Sequence, residues 1–249
     1  MAFGRGDGVI ACGGDGTVGV LAATAIAHDG LLAVVPTGSG NDFARHLRLD
    51  HRHPERVLTH LRTGREVRVD LGRATTRADP PTWFCSVAST GLDAAANAVA
   101  NRTRYLRGTP LYVSAMLRTL ASYRPRRYAL VLDDAPAIEF DAWLVAFANT
   151  RSYGSGMQIA PHARHDDGLL DIITVGPVTR GELLRTFPRV FRGSHLAHPQ
   201  VQSFRARSAS IHELGGFEPG ELYASGDPVG PLPARVEIVP NALRLLLPG

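Results

Sequence analysis

Two glycine-rich turns constrain this chain more than anything else in it. Gly13-Gly14-Asp15-Gly16-Thr17 follows an apolar run at residues 8–12, and Thr37-Gly38-Ser39-Gly40 follows another at residues 31–35, closed by Pro36. Short apolar runs between turn signals read as buried parallel strands. Each turn precedes a helical stretch, Ala-rich from about Val18 to His28, then from Asn41 to His46 or Leu47. The order strand, turn, helix, strand, turn, helix is that of an open α/β sheet, whose ligands bind at the carboxyl ends of the strands. Glycines let the backbone approach a ligand closely, and the N–H groups at a helix start favour phosphate. Asp15 would repel that phosphate unless a divalent cation lies between them, so the first turn implies a nucleotide with Mg²⁺. A tight turn with an Asp cap accounts for the first turn alone, and Asn41 or Asp42 as an N-cap accounts for the second. Two Gly-Asp loops on one sheet edge are hard to explain by capping.

Composition removes competing chemistries. All 27 basic residues are arginine. A Walker A site, a protein-kinase lysine and Schiff-base chemistry each need a lysine and are excluded. Phosphate charge must then be met by Arg, backbone N–H groups, helix N-termini or a metal. The net charge of +4 and pI near 9.5 allow an anionic partner, although from charge alone a solvated basic surface is the better reading. Arg124, Arg126 and Arg127, with Tyr123 and Tyr128, form a basic-aromatic patch suited to anionic headgroups or simply to a solvated turn. Cys12 and Cys85, the only cysteines, rule out a disulfide scaffold and read as buried thiols of a reducing compartment. No apolar run approaches the ~18–20 residues of a spanning helix. The start MAFGRGDG has no signal-peptide pattern.

The pattern changes after Asp50. Residues 51–63 read as a linking helix. From Glu66 onward short strands with Gly/Pro turns dominate, at 67–71, 82–88, 128–132, 142–148, 170–175, 201–206, 208–212 and 235–239, with helices near 93–99, 111–122 and 179–191. Many short strands predict a β-sandwich. The expected organisation is a short α/β nucleotide-binding domain with its linker at 1–65 and a mainly antiparallel β-sandwich at 66–249. Two strands bury too little surface to stand alone, so the first sheet must be completed by a further N-terminal portion or by something else.

GGDGT followed by Pro36-Thr37-Gly38-Ser39-Gly40-Asn41-Asp42-Phe43-Ala44-Arg45 resembles the diacylglycerol kinase catalytic domain superfamily, which includes bacterial lipid kinases and sphingosine kinases. Val69-Asp70-Leu71-Gly72, Gly91-Leu92-Asp93-Ala94, Asn149 with Tyr153-Gly154-Ser155-Gly156-Met157 and Ala160-Pro161, and Asp166-Asp167-Gly168-Leu169-Leu170-Asp171 extend the resemblance over nearly the whole chain. It implies transfer of the ATP γ-phosphoryl group to a lipid hydroxyl, in a cleft between an α/β domain and a β-sandwich. Gly13, Gly14, Asp15, Gly16 and Thr17 would hold the phosphates, Asp15 through Mg²⁺. Gly38, Ser39 and Asn41 would complete the nucleotide loop, and Asp42 would join an acidic metal–water network supported by Arg45. Arg164, Asp167 and Leu169 match a second metal site, with a carboxylate from Asp167 and mainly backbone carbonyls from the other two. The implied partner is a lipid at the inner face of the membrane, most simply diacylglycerol, for a cytoplasmic protein that takes no nucleic acid. A homo-oligomer remains open.

The chain departs from the family in three places. Relatives carry roughly two further strand–helix units before GGDGT (as the resemblance implies; the size argument agrees). Gly19-Val20 stand where an Asn-Glu pair is usual. Ser225 and Asp227 replace the Asp and Glu of a late Asp-Gly-Glu motif, which leaves Asp227 as the acid–base candidate. Two alternatives follow. One is an NAD kinase-like enzyme, which shares GGDGT but not the second string. The other is a truncated, catalytically weak protein that binds lipid or nucleotide.

Overall fold

The computed structural model describes residues 7–77, 80–102, 109–154, 156–216 and 218–248; Ser155 of the Tyr153–Met157 motif lies outside them. The first half runs β1 (Gly8–Gly13), α1 (Asp15–Ala27), β2 (Leu31–Pro36), α2 (Asp42–His46), α3 (Pro54–His60), β3 (Arg65–Thr75), β4 (Thr82–Phe84), β5 (Val87–Gly91), α4 (Leu92–Arg102) and α5 (Thr109–Ser122). The rest runs β6 (Arg126–Leu132), β7 (Ile138–Ala142), β8 (Leu144–Ala148), β9 (Leu170–Val175), α6 (Arg180–Thr186), β10 (Val201–Ala206), β11 (Ser208–Glu213), β12 (Glu221–Ala224), β13 (Asp227–Pro231) and β14 (Ala234–Leu247). The architecture is the expected one, a mixed α/β unit followed by an antiparallel sandwich. The expected strand at 82–88 is two strands in different sheets, and 142–148 divides between β7 and β8. The short strands β12 and β13, joined by a turn at Ser225-Gly226, have too little apolar alternation to be read in advance.

The two parallel strands β1 and β2 pair from Gly8 opposite Leu31 to Gly13 opposite Pro36. Their sheet is completed by the far end of the chain. Arg244–Leu246 of β14 run parallel to β2, while β14 also pairs antiparallel with β3 along both halves of its length. Its first half belongs to the sandwich, where it pairs with β11. The halves expected at 1–65 and 66–249 therefore share one sheet, ordered β1-β2-β14-β11-β6-β7 with β3 and β4 alongside.

A bulge between Val239 and Leu243 lets one strand serve both units. Asn241 sits there at a φ of 53°. Asp70, almost fully buried, fills the gap. Its Oδ1 accepts the Asn241 N–H at 2.8 Å and its Oδ2 accepts the Gly168 N–H at 2.7 Å. Asn149 Nδ2 donates to the Asp70 and Cys85 carbonyls, both at 2.9 Å.

The second sheet is ordered β10-β9-β8-β5-β12-β13. One face packs on the first sheet through Tyr128, Phe147 and Ile172. The other packs under α4, α5 and α6 through Leu92, Met116 and Trp143. With both faces covered, every residue of β5, β8 and β9 is buried, which explains the continuous apolar sequence of β8. A third core joins α1 to β1, β2, β3 and β14 through Ala11, Val18, Leu32, Val69 and Leu245. Ala11 faces α1, whereas Ile10 and Cys12 share the opposite face of β1 and are exposed. Only Cys85 is the buried thiol that both cysteines were expected to be. Among the described residues no helix is long and apolar enough to cross a membrane.

Candidate active site

The two glycine turns meet at the carboxyl ends of β1 and β2. A Cβ on Gly38 would fall on the backbone of Gly14, so the loops touch through their glycines. Gly14 is the N-cap of α1 and offers no side-chain acceptor. The first N–H groups of the helix remain available to a ligand. Asp15 has a local task that spacing does not reveal. Its Oδ2 accepts the Asp42 N–H at 3.0 Å and its Oδ1 accepts the Phe43 N–H at 2.9 Å, so the first loop caps the helix that follows the second. Asn41 is left-handed at a φ of 55° and makes no side-chain cap bond. Its amide instead closes the turn, accepting the Gly38 N–H at 3.0 Å and donating to the Gly38 carbonyl at 2.6 Å. Arg45 Nε donates to the Gly40 carbonyl at 2.9 Å.

Asp42 ties this unit to the sandwich. Its buried carboxylate accepts the Ser152 hydroxyl at 3.1 Å and the Gly156 N–H at 2.8 Å. Between the two units lies a cleft of about 440 Å³, lined among others by Gly14, Thr17, Ser39, Asp93, Tyr153 and Ser225. On its floor Asp93 is fully buried, accepting hydrogen bonds from Ser89 Oγ and, at 3.0 Å, from Tyr153 Oη. Burial pushes the Asp93 carboxyl up to about 6, against the opposing effect of those two donors. Across the cleft, Asp227 Oδ2 lies 3.2 Å from where a Gly16 Cβ would stand. Burial raises the Asp227 carboxyl above its ordinary value. Ser225, at a φ of 52°, has a buried hydroxyl with no partner among the described residues. Beyond Tyr153 the lining becomes apolar. Tyr153 also borders a second cavity, walled by Met116, Leu120, Met157, Leu183 and Phe187.

The sequence model of the Diacylglycerol kinase catalytic domain matches residues 1–74. That of the YegS C-terminal NAD kinase beta sandwich-like domain matches residues 86–247. The chain is 40% identical over 242 residues to a diacylglycerol kinase of Mycobacterium tuberculosis, covering 97% of this chain and 77% of the relative. This chain belongs to the diacylglycerol kinase superfamily. It is also 31% identical over 252 residues to a protein of Stenotrophomonas maltophilia described as a probable lipid kinase YegS-like, covering 98% of this chain and 79% of that one. A solved diacylglycerol kinase from Bacillus anthracis str. Sterne shares the fold, with a TM-score of 0.67 and 18% identity over 97% of this chain and 76% of its own. Another structure from that organism gives a TM-score of 0.73 at 20% identity, over 97% and 77%.

Within this superfamily frame, the corner matching the second metal site is already neutralised. Asp167 accepts the Leu169 N–H at 3.2 Å through Oδ1 and pairs with the Arg205 guanidinium through Oδ2. Arg164 pairs with Asp166. Among the described residues no group of three or more His, Cys, Asp or Glu side chains is arranged to hold a metal ion; a site made of the Asp167 carboxylate and the backbone carbonyls of Arg164 and Leu169 does not depend on such a group. The first loop differs. An uncapped helix start and a glycine cradle suit the phosphates of ATP. Asp15 beside them suits a cation that arrives with the nucleotide, since Mg²⁺ is usually held by one or two carboxylates plus substrate phosphates. Val20, in the place of the usual acidic residue, is 68% exposed.

Sequence reading gave no role to Asp70, Ser89, Asp93, Tyr153 or Arg205. Asp70, Asp93 and Tyr153 lie inside motifs that carry the resemblance, which was the available signal. Ser89 and Arg205 had none, because their partners are set by folding.

A histidine pair also joins the two units. His46 Nε2 and His165 Nδ1 are 2.7 Å apart, and the Arg151 N–H donates to His46 Nδ1 at 3.3 Å. This network assigns the His46 proton to Nε2. Burial, then His165 and Arg151, push His46 from 6.5 down to about 4, and burial lowers His165 as well. The folded protein thus keeps His46 neutral where the unfolded chain takes up a proton. Stability is complete above the unfolded value near 6.5 and falls as pH drops toward 4. At 1.36 kcal/mol per pKa unit the loss is about 3 kcal/mol, several degrees of Tm for a chain of this size. Thermal denaturation from pH 4 to 7 checks this: Tm should fall less steeply in His46→Gln than in the wild type.

Proposed function

We propose that this chain is an ATP- and Mg²⁺-dependent lipid kinase that transfers the γ-phosphoryl group to a lipid hydroxyl, with diacylglycerol as the acceptor. The observation that carries this reading is the meeting, at Tyr153, of a polar cleft holding the glycine loops and a cavity with apolar walls. A phosphate donor and an acyl chain have opposite solvation needs, and this junction satisfies both.

In the proposed mechanism the N–H groups at the start of α1 bind and orient the phosphates, while Gly38, Ser39 and Asn41 shape the opposite wall. Mg²⁺, when bound with ATP beside Asp15, supplies neutralisation of phosphate charge. Tyr153, Ser89 and Asp93 orient the acceptor hydroxyl at the mouth of the apolar cavity. Asp227, against Gly16, takes the hydroxyl proton as the oxygen attacks the γ-phosphorus, whose bond to the β-phosphate oxygen breaks to release ADP. Asp42 keeps the two walls in register through Ser152 and Gly156. Phosphoryl transfer needs positioning and charge compensation more than covalent chemistry, and these groups provide both. The corresponding place of action is the inner face of the cytoplasmic membrane, where ATP and lipid meet.

The test is transfer of label from γ-labelled ATP, with Mg²⁺, into a total bacterial lipid extract. The wild-type chain should label a lipid, and Asp15→Ala should reduce that label by roughly 100-fold or more, the scale of losing an electrostatic stabiliser. Lack of labelled lipid from folded wild-type protein would overturn the reading in favour of a protein that binds without transfer. The Ser225 and Asp227 departures motivate that alternative.

A further inference from the structure

We propose that a second, basic pocket in the seam between the two units binds a phosphate group and fastens the units to each other. The inference does not rest on the lipid-kinase reading.

The pocket holds about 480 Å³, room for an anion with its water at ~30 Å³ per water molecule. Arg45, Arg48 and His51 enter it from α2 and the turns that follow, and Arg151 enters it from the segment after β8. The three arginines are exposed and His51 is half-buried. Arg45 uses only Nε, on the Gly40 carbonyl. Among the described residues no hydrogen bond or ion pair engages the side chain of Arg48 or Arg151. No acidic side chain lines the pocket. Neighbouring carboxylates are engaged elsewhere. Asp50 accepts the Arg52 and His53 N–H groups, both at 3.1 Å, and faces Arg56 at 3.9 Å. Asp166 pairs with Arg164. None of Arg164, Asp167 and Leu169 lines the pocket, so it is separate from the corner they form.

The fold holds these charges in place. Arg48 is left-handed at a φ of 60°, in the turn where the Leu49 N–H closes α2 on the Ala44 carbonyl at 2.9 Å. Glycine or asparagine usually takes that position, so an arginine stands there against backbone strain. Arg151 is fixed from across the seam. Its N–H donates to His46 Nδ1 at 3.3 Å, and the other ring nitrogen of His46 is committed to His165. Three guanidinium groups gathered without a counter-charge repel one another, and a bound anion reverses that repulsion. Their planar forks match phosphate oxygens. Leu49 is the one apolar side chain in the lining and is itself buried, so an acyl chain finds no wall here and the ligand is a small hydrophilic anion. The same chemistry is carried by free phosphate and by a phosphomonoester headgroup. Ser152 and Gly156, which hold Asp42 of the cleft, also line this pocket. A phosphate shared by Arg45 or Arg48 on one unit and Arg151 on the other therefore secures the register of the cleft.

The experiment titrates the full chain with sodium phosphate and with glycerol 3-phosphate, against sodium chloride at matched ionic strength, read by calorimetry and hydrogen exchange. Phosphate should bind the wild type and slow exchange at residues 42–49 and 151–158 together. Arg48→Gly/Arg151→Gln should bind it roughly 100-fold more weakly, at about 10-fold for each charge-assisted contact removed. Glycine suits the left-handed turn at residue 48, so this loss is not a loss of fold, and ATP binding by the variant should match the wild type. Equal phosphate affinity in wild type and variant overturns the proposal. Protection confined to residues 13–17 also overturns it, because the phosphate is then on the glycine loops. So does a chloride effect equal to that of phosphate, which leaves only screening. Glycerol 3-phosphate bound at least as tightly as phosphate assigns the pocket to a phosphomonoester, and weaker binding assigns it to the free ion; the pocket stands in both cases. Phosphate binding here by a chain that labels no lipid supports the pocket while the lipid-kinase reading fails.

Discussion

Asp227→Asn should lower lipid phosphorylation by roughly 10²–10⁴-fold, the usual contribution of a positioned general base. It should also abolish the acid limb of the pH–rate profile. Asp227 is the surviving carboxylate of the Tyr223–Pro228 stretch, and it lies against Gly16 of the first glycine loop. Burial raises its carboxyl above the ordinary aspartate value of 3.8. A base works deprotonated, so the wild-type rate should climb with pH through that raised value and then level off. Asparagine keeps the shape and a hydrogen-bonding oxygen but cannot take the proton. Nucleotide affinity, read by calorimetry, should stay at least as tight, because removing a negative charge near the phosphates does not weaken their binding. A variant with near-wild-type turnover would move the proton acceptor elsewhere, with Asp93 the next carboxylate on the cleft.

Asp70→Ala should cause a large loss of stability with no direct part in chemistry. Each oxygen of this buried carboxylate accepts one backbone N–H, from Asn241 at 2.8 Å and Gly168 at 2.7 Å. Alanine leaves both N–H groups without their carboxylate acceptor at the β14 bulge. An unsatisfied buried donor costs about 1–3 kcal/mol, so the pair costs about 2–6 kcal/mol and lowers Tm by roughly 5–20 °C at this chain length. The damage should be focused. The β14 bulge is where the strand passes from the sandwich to the nucleotide unit, so hydrogen exchange should accelerate first at residues 241–247 and in β1 and β2. Tm and exchange in this segment equal to wild type would show that the bulge holds without Asp70.

Local sequence went far with this protein. The positions of β1, β2 and the glycine loops followed from apolar runs and turn residues, because these depend on neighbours within a few positions. The short strands with Gly/Pro turns after Glu66 predicted the sandwich. The motifs from GGDGT to Asp166–Asp171 identified the superfamily, and with it the α/β-plus-sandwich architecture.

The partners of those same residues were decided by tertiary structure. Asp15 caps a helix 27 residues further on, Asp42 grips Ser152 and Gly156, Asp70 fills a bulge at Asn241, and Arg205 neutralises Asp167. A carboxylate in a sequence carries no record of which donor will reach it. That choice is made by strand register and by the bulge that returns β14 to β2, over separations far longer than any local pattern. The residue types and turns were written in the chain; which of them face one another across the cleft follows from packing, since only the folded sheets bring donors and acceptors within hydrogen-bond range.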